Sequence, residues 1–370
     1  MRVPRTLSRY VAREVAAYTL LGLCVISAIL MMRNLARALD DLLGAGFAAS
    51  DLLAMMRVLG TMLLLYALPV SFLFGVLLAV ARLAADVEII AMRACGVGMR
   101  ELALPIVVLS LGASALTGWL ALDVEPAARR ELRAVFASLI SRGAGLEPGR
   151  FRRFGDVLVY VDGRGGDRLQ GIVLSDRSDP DRPVLIFASE GTMAVDAEGS
   201  ITLALEQGDI HLDDTGEREA RISFDRFDYA LDLTDLLGPD GRKRASEMPF
   251  RELRETVSQA SVRGIPQHAG FADDPIDYEL ELHRRLAAPV APALFGLLGL
   301  PIGMRRARGA RAFGALWCAA VAFSYYGAHI FFESLAERGL LSAPVARWLP
   351  VAGFAALAFW LLARARRVGG

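Results

Sequence analysis

Six apolar stretches, each near the roughly 20 residues that carry a helix across a bilayer, constrain this chain more than any other feature. They run from Val15 to Met32, Val58 to Val80, Leu102 to Leu122, Leu286 to Met304, Phe313 to Phe332 and Ala343 to Leu362. Arg347 and Pro350 weaken the start of the last. With 54% hydrophobic residues over 370 positions, the chain is too apolar for an ordinary soluble domain. Arginines ahead of the first stretch imitate a signal peptide. No small-residue cleavage pattern closes it, however, and five further stretches follow, so it reads as a retained span.

Arginine placement orients the spans, because basic flanks are retained in the cytoplasm. Arg2, Arg5, Arg9 and Arg13 precede the first span, and Arg82, Arg93 and Arg100 lie between the second and third. Arg305, Arg306, Arg308 and Arg311 lie between the fourth and fifth, and Arg364, Arg366 and Arg367 follow the sixth. The opposite ends carry Asp40, Asp41 and Asp51 and the short segment from Glu337 to Ser342. Both termini are therefore expected in the cytoplasm, and the section between the third and fourth spans on the other side. A net charge of zero, almost all of its basic part arginine, provides no field for nucleic acid, which is not an expected partner. Cys24, Cys95 and Cys318 are too scattered for a disulfide framework or a CxxC metal site and read as packing residues.

Between Arg129 and Glu279 the charge rises and short alternating segments replace the apolar runs. Strands are expected at Asp156 to Asp162, Leu169 to Ser175, Val184 to Ser189, Thr192 to Asp196, Ile201 to Leu205, Ile210 to Leu212 and Ala220 to Tyr229. Turn residues punctuate them, among them Gly163, Gly165 and Gly166, Asp179-Pro180, Glu198-Gly199, Gln207-Gly208 and Thr215-Gly216. This spacing reads as a sandwich or jelly roll. Alternation puts Val157, Val159 and Val161 on one face, likewise Ile201, Leu203 and Leu205, and likewise Ile222 and Phe224. These faces either fill a dry core or line an apolar groove for lipid chains. A helix is expected from Met248 to Ser261 and a linker from Gly264 to Pro275. The fold class is thus an α-helical membrane protein with six transmembrane helices and an inserted all-β domain. Residues 1–130 carry helices one to three with a short loop helix at about 86–96, residues 131–275 the β domain and linker, and residues 276–370 helices four to six.

No catalytic set stands out. The chain lacks GxxxxGK[ST], GxSxG and HExxH, and His211, His268, His283 and His329 are scattered. Chemistry of another kind is legible in the loop after the second span. Asp86 is placed to cap a short helix, Val87, Ile90, Ala91 and Ala94 form an apolar stripe, and Gly96 and Gly98 are placed to end it. Such a helix either lies on lipid headgroups or inserts into a cytoplasmic partner with Glu88 and Arg93 as charged anchors. Arg33 and Arg37, one turn apart, and Arg57 either snorkel to the interface or form a guanidinium cluster suited to lipid phosphates. Tyr325, His329 and Glu333 recur every four residues on an apolar helix. That stripe serves either helix-to-helix hydrogen bonding or a cavity wall.

These residues resemble the LptF/LptG permeases, membrane subunits of the ABC transporter that extracts lipopolysaccharide from the inner membrane of Gram-negative bacteria. The resemblance spans nearly the whole chain. It rests on Ser8-Arg-Tyr-Val-Ala-Arg13, Leu68-Pro69, Asp86-Val-Glu-Ile-Ile-Ala-Met-Arg-Ala-Cys-Gly96, Ala188-Ser-Glu-Gly191, Leu205-Glu-Gln-Gly208, Glu281-Leu-His-Arg-Arg-Leu286 and Pro289. It implies a periplasmic β-jelly roll and a heterodimer of F-type and G-type subunits on a dimeric LptB-like ATPase, which uses ATP and magnesium while this chain binds no cofactor. It implies that Asp86, Glu88, Ile90, Ala91, Met92, Arg93 and Gly96 form the coupling segment, with Glu88 the key contact. It further implies a lipid cavity lined by the first and fifth helices, which suits Arg33, Arg37, Arg57, Tyr325, His329 and Phe332. Arg-Ala-Cys-Gly resembles the F-type wording, and an F-type jelly roll is expected to join LptC and pass lipid on toward LptA. Two other classes compete with this non-enzymatic export role. One is a membrane-embedded lipid-modifying enzyme using Tyr325, His329 and Glu333, the other a membrane-anchored periplasmic scaffold.

Overall fold

A computed structural model describes residues 5–42, 49–141, 149–154, 157–165, 168–177, 184–195, 201–214, 218–231, 244–263, 275–304 and 310–367. Helix α1 (Arg5–Leu42) and helix α2 (Ala49–Ala85) are the longest elements. At 1.5 Å per residue they reach roughly 55 Å, well beyond the roughly 30 Å of a hydrocarbon core. A short helix α3 (Glu88–Ala94) links α2 to α4 (Met99–Trp119), which runs through a π-helical segment (Leu120–Val124) into α5 (Glu125–Ser141). After the strands come α6 (Phe250–Arg263), α7 (Pro275–Ala287), α8 (Val290–Gly303), α9 (Ala310–Glu337) and α10 (Ala343–Arg367).

Among the described residues, five helical stretches are long and apolar enough to span a membrane, and α7 with α8 makes a sixth only as a pair bent by 48°. The fourth expected span, Leu286 to Met304, is thus a broken one. Alone, α8 is about 21 Å long, too short to cross. Pro289 stands at the break, where its ring and missing N–H prevent α7 from running straight on. Helix α2 forms the centre of the bundle: Leu73, Val76, Leu77, Ala79 and Val80 have no exposed surface. It packs on α8 and α9 through a cluster that includes Phe295, Leu298, Val321 and Tyr325, and on α1 and α4 through Val11, Val15 and Ile106.

Helix α5 carries α-structure to Ser141, so the first strand begins later than position 131. The strands β1 (Arg150–Phe154), β2 (Val157–Gly165), β3 (Arg168–Asp176), β4 (Val184–Val195), β5 (Ile201–Asp214) and β6 (Arg218–Leu231) form one antiparallel sheet in sequence order. The segments Val184 to Ser189 and Thr192 to Asp196, expected as two strands, are one. So are Ile201 to Leu205 and Ile210 to Leu212, and Gln207-Gly208 is no turn. The expected turns at Asp179-Pro180, Glu198-Gly199 and Thr215-Gly216, and the linker from Gly264 up to residue 274, lie outside the described residues.

The cause is a crease through the sheet. Pairing runs Val161↔Ile172 then Gly163↔Gln170, Ile172↔Ala188 then Gln170↔Glu190, Ala188↔Gly208 then Glu190↔Glu206, and Gly208↔Phe224 then Glu206↔Arg226. Each ladder skips the row Asp162, Gly171, Ser189, Gln207, Asp225. Gly171 and Gln207 in that row have left-handed φ of 61° and 51°. The inward phase changes there: Ile172 and Leu174 give way to Leu169, Ile186 and Ala188 to Met193, Ile210 to Leu205 and Leu203, Phe224 to Phe227 and Tyr229. All of them join a single cluster, so the crease folds both halves of the sheet onto one core.

Candidate partner-docking helix and polar cavity

Helix α3 is seven residues long and is held at both ends by backbone geometry. Its N-cap is Val87, with a left-handed φ of 63° and no side-chain cap, so Asp86 does not have the expected capping role. Asp86 instead lies 3.4 Å from Arg82 Nε, and Arg82 also pairs with Glu14 on α1. A β-branched residue in this conformation is strained by about 1–3 kcal/mol, a cost the tight α2–α3 turn imposes. At the other end Gly96 (φ 85°) closes a Schellman motif, with Gly96 N–H donating to Arg93 O and Val97 N–H to Met92 O.

The expected stripe does not face the bundle. Val87 and Ile90 are 48% and 46% exposed and Ala91 and Ala94 are exposed too, whereas Ile89 (5% exposed) and the half-buried Met92 anchor α3 against α1, α2 and α4. Apolar surface is thereby presented away from the chain, beside Glu88, which accepts a hydrogen bond from Tyr10 Oη at 3.0 Å.

The candidate lipid-binding residues separate into four places. Arg33 is exposed on α1, and the side chain of Arg37 lies outside the described residues. Arg57 on α2 pairs with Glu131 on α5. Tyr325 and His329 point into the chain's own bundle: Tyr325 is 2% exposed, its ring 4.6 Å from His329 and 5.1 Å from Phe295. Phe332 packs with Leu280, Ala336 and Ala343 between α7, α9 and α10. The opposite side of α9 carries the exposed Phe323 and Phe331. Tyr325, His329 and Glu333 line a cavity of about 380 Å³ together with residues of α2, α7, α8 and α10.

Of the candidate groove residues, Val157, Val159, Val161, Leu203 and Leu205 are at most 2% exposed and pack on one another. In the chain by itself they fill a core. Phe224 packs at its border, Ile222 on the last strand is 49% exposed, and the side chain of Ile201 lies outside the described residues. The sheet order ends at β1 and β6, and among the described residues no ladder joins these two edge strands.

The family model for the lipopolysaccharide export system permease LptF/LptG matches residues 9–364. The chain belongs to that family. A search of curated proteins finds no match. As an LptF/LptG permease it is a multi-pass membrane protein of the lipopolysaccharide export system, a transporter component rather than an enzyme.

Within this LptF/LptG permease one polar cluster carries no expected role in the sequence. Directly after the π-helical segment, a geometry common at functional sites, Glu125 is 3% exposed and accepts from Arg129 at 2.7 Å and Arg284 at 2.8 Å. Arg284 and Arg285 both donate to Glu281 at 2.7 Å, and Arg284 Nη1 reaches Tyr66 Oη at 3.1 Å. Arg285, without exposed surface, also donates to the carbonyls of Met248, Ala245 and Ser246. Arg130 donates to Glu247 O, and Arg133 pairs with the Glu247 carboxylate. The cluster thus ties α5 and α7 to the segment leading from the sheet into α6. Its sequence signal is the charge spacing beside apolar runs: Glu281 with Arg284 and Arg285 at i+3 and i+4, and Glu125 with Arg129 at i+4.

Proposed function

We propose that this chain is the F-type permease of an ATP-driven exporter that extracts lipopolysaccharide from the inner membrane. Its partners would be a G-type permease, a dimeric LptB-like ATPase that binds the ATP and magnesium, and LptC leading to LptA. Both termini and α3 lie in the cytoplasm, and the sheet, a jelly roll, lies in the periplasm. The observation that carries the coupling step is the outward face of α3. Val87, Ile90, Ala91 and Ala94 are apolar and uncovered, Glu88 and Arg93 flank them, and Ile89 with the Gly96 turn fixes the helix rigidly to the bundle. A lever of this kind transmits closure of the ATPase to α1, α2 and α4.

Arg33 and Arg37 receive lipid phosphates at the outer end of α1. Lipid then leaves through the jelly roll, whose core residues open toward cargo only when a second sheet adds to the β1 or β6 edge. Copurification in mild detergent tests this reading. An ABC ATPase, a second six-helix subunit and bound glycolipid are expected with the native chain, and Glu88→Ala is expected to lose the ATPase while still inserting. Unchanged lipid export by Glu88→Ala would refute the coupling role.

A further inference from the structure

We propose that the cavity between α2, α7, α8, α9 and α10 is a binding site for a single-chain-sized portion of an anionic phospholipid, separate from the export path. Its volume of about 380 Å³ falls at the small end of the roughly 300–1,000 Å³ typical of small-molecule sites. That suits one acyl chain and not the several chains of a glycolipid cargo. Leu65, Pro69, Ala288 and Ala291 supply apolar walls, while Tyr66 (42% exposed) and Ile330 (67% exposed) are its exposed lining residues. The opening therefore lies between α2 and α9.

The polar end is built for an anion. Arg347, four residues into α10 and 5% exposed, lines the cavity and pairs through Nη2 with Glu333. Its buried Nε has no hydrogen-bond partner. A guanidinium has five N–H donors, and an unsatisfied buried one costs several kcal/mol in an apolar setting, so this arginine retains capacity that its one carboxylate does not use. Arg284, the other arginine of the lining, directs four of its five donors to Glu281, Glu125 and Tyr66, whereas Arg347 pairs with Glu333 and keeps its buried Nε donor, which makes Arg347 the group that takes the phosphate. A lipid phosphate at Arg347 with its acyl chain running past Ala288 toward Pro69 satisfies both the donor and the apolar wall.

Native mass spectrometry of the purified full chain, delipidated and then titrated with phosphatidylglycerol or phosphatidylcholine, tests the proposal. One phosphatidylglycerol is expected to be retained at least about tenfold more tightly than phosphatidylcholine. The paired change Arg347→Gln with Glu333→Gln keeps the pair neutral and is expected to erase that preference. Ala288→Phe leaves every charged group in place and fills the cavity, and it is expected to abolish retention of both lipids. Equal retention by the native chain and either variant overturns the site. So does a native chain that retains no lipid, whose cavity then holds water only. Displacement of the lipid by millimolar inorganic phosphate that itself remains bound overturns the lipid assignment in favour of a simple anion site. None of these readouts depends on ATP or export, so the permease reading stands or falls separately.

Discussion

Tyr10 Oη donates to Glu88 Oε2 across 3.0 Å, tying the first helix to the residue proposed to contact the ATPase. The bond is exposed and its loss costs about 1 kcal/mol or less. Tyr10→Phe is therefore expected to lower ATPase affinity only about two- to threefold, by loosening Glu88. Glu88→Ala and Glu88→Gln both remove the charge, a loss of about 2 kcal/mol or ~30-fold if Glu88 is an interface hot spot. Quantitative copurification of the ATPase with each variant checks this ranking. A Gln variant that binds like the native chain would show that hydrogen bonding, not charge, is read.

Arg285 connects the membrane bundle to the segment beyond the sheet through three backbone carbonyls. Truncating it leaves Glu281 less well paired and the carbonyls of Ala245, Ser246 and Met248 without this donor. Breaking a buried pair of this kind costs about 3–5 kcal/mol. Arg285→Met is expected to lower the melting temperature of the purified chain and open residues 244–250 to proteolysis. Arg285→Lys is expected to rescue little, because a single ammonium does not reproduce the planar fork.

What could be read from the sequence followed the regularity of the local pattern. Val157, Val159 and Val161 alternate without a slip, and β2 and its buried face are legible at once. Ala188 to Gly191 and Leu205 to Gly208 interrupt the alternation, and a one-residue phase slip looks like a turn until the neighbouring strands are seen to slip in the same row. In α3 the stripe Val87, Ile90, Ala91, Ala94 is real, but a pattern does not say which partner covers it. The buried residue is its neighbour Ile89. Glu125 gave no sign of its role, since the arginine that meets it across the fold, Arg284, is 159 positions away.

The crease itself predicts opposite effects at two of its residues. Gly171 has φ 61°, and a Cβ there would come within 2.7 Å of Asp162 Cβ. Gly171→Val is expected to destabilise β3 by more than the ~1–2 kcal/mol of a left-handed side chain alone. Gln207, at φ 51°, already bears that strain. Gln207→Gly relieves it, minus the ~0.5–1 kcal/mol of added chain entropy, and is expected to be neutral or stabilising. Hydrogen exchange across β3 to β5 in the full chain measures both, with faster exchange in the first variant and not in the second.

Acid should weaken the sheet at one identifiable place. Hydrogen bonds from Arg221, at 2.6 Å, and then Ser223, at 2.7 Å, hold the Asp209 carboxyl down at about 2. An unfolded aspartate titrates near ~3.9. Because the folded value is the lower one, the contribution of this pair is fully present above pH ~4 and is lost as pH falls through about 2. Exchange protection of the β5–β6 ladder around Asp209 and Arg221 is expected to be flat from neutral pH to about 4 and to decline below it. Asp209→Asn removes the titrating group, so its protection should start lower at neutral pH and show no further step in that window. A variant that keeps the native acid step would assign the loss to another carboxylate.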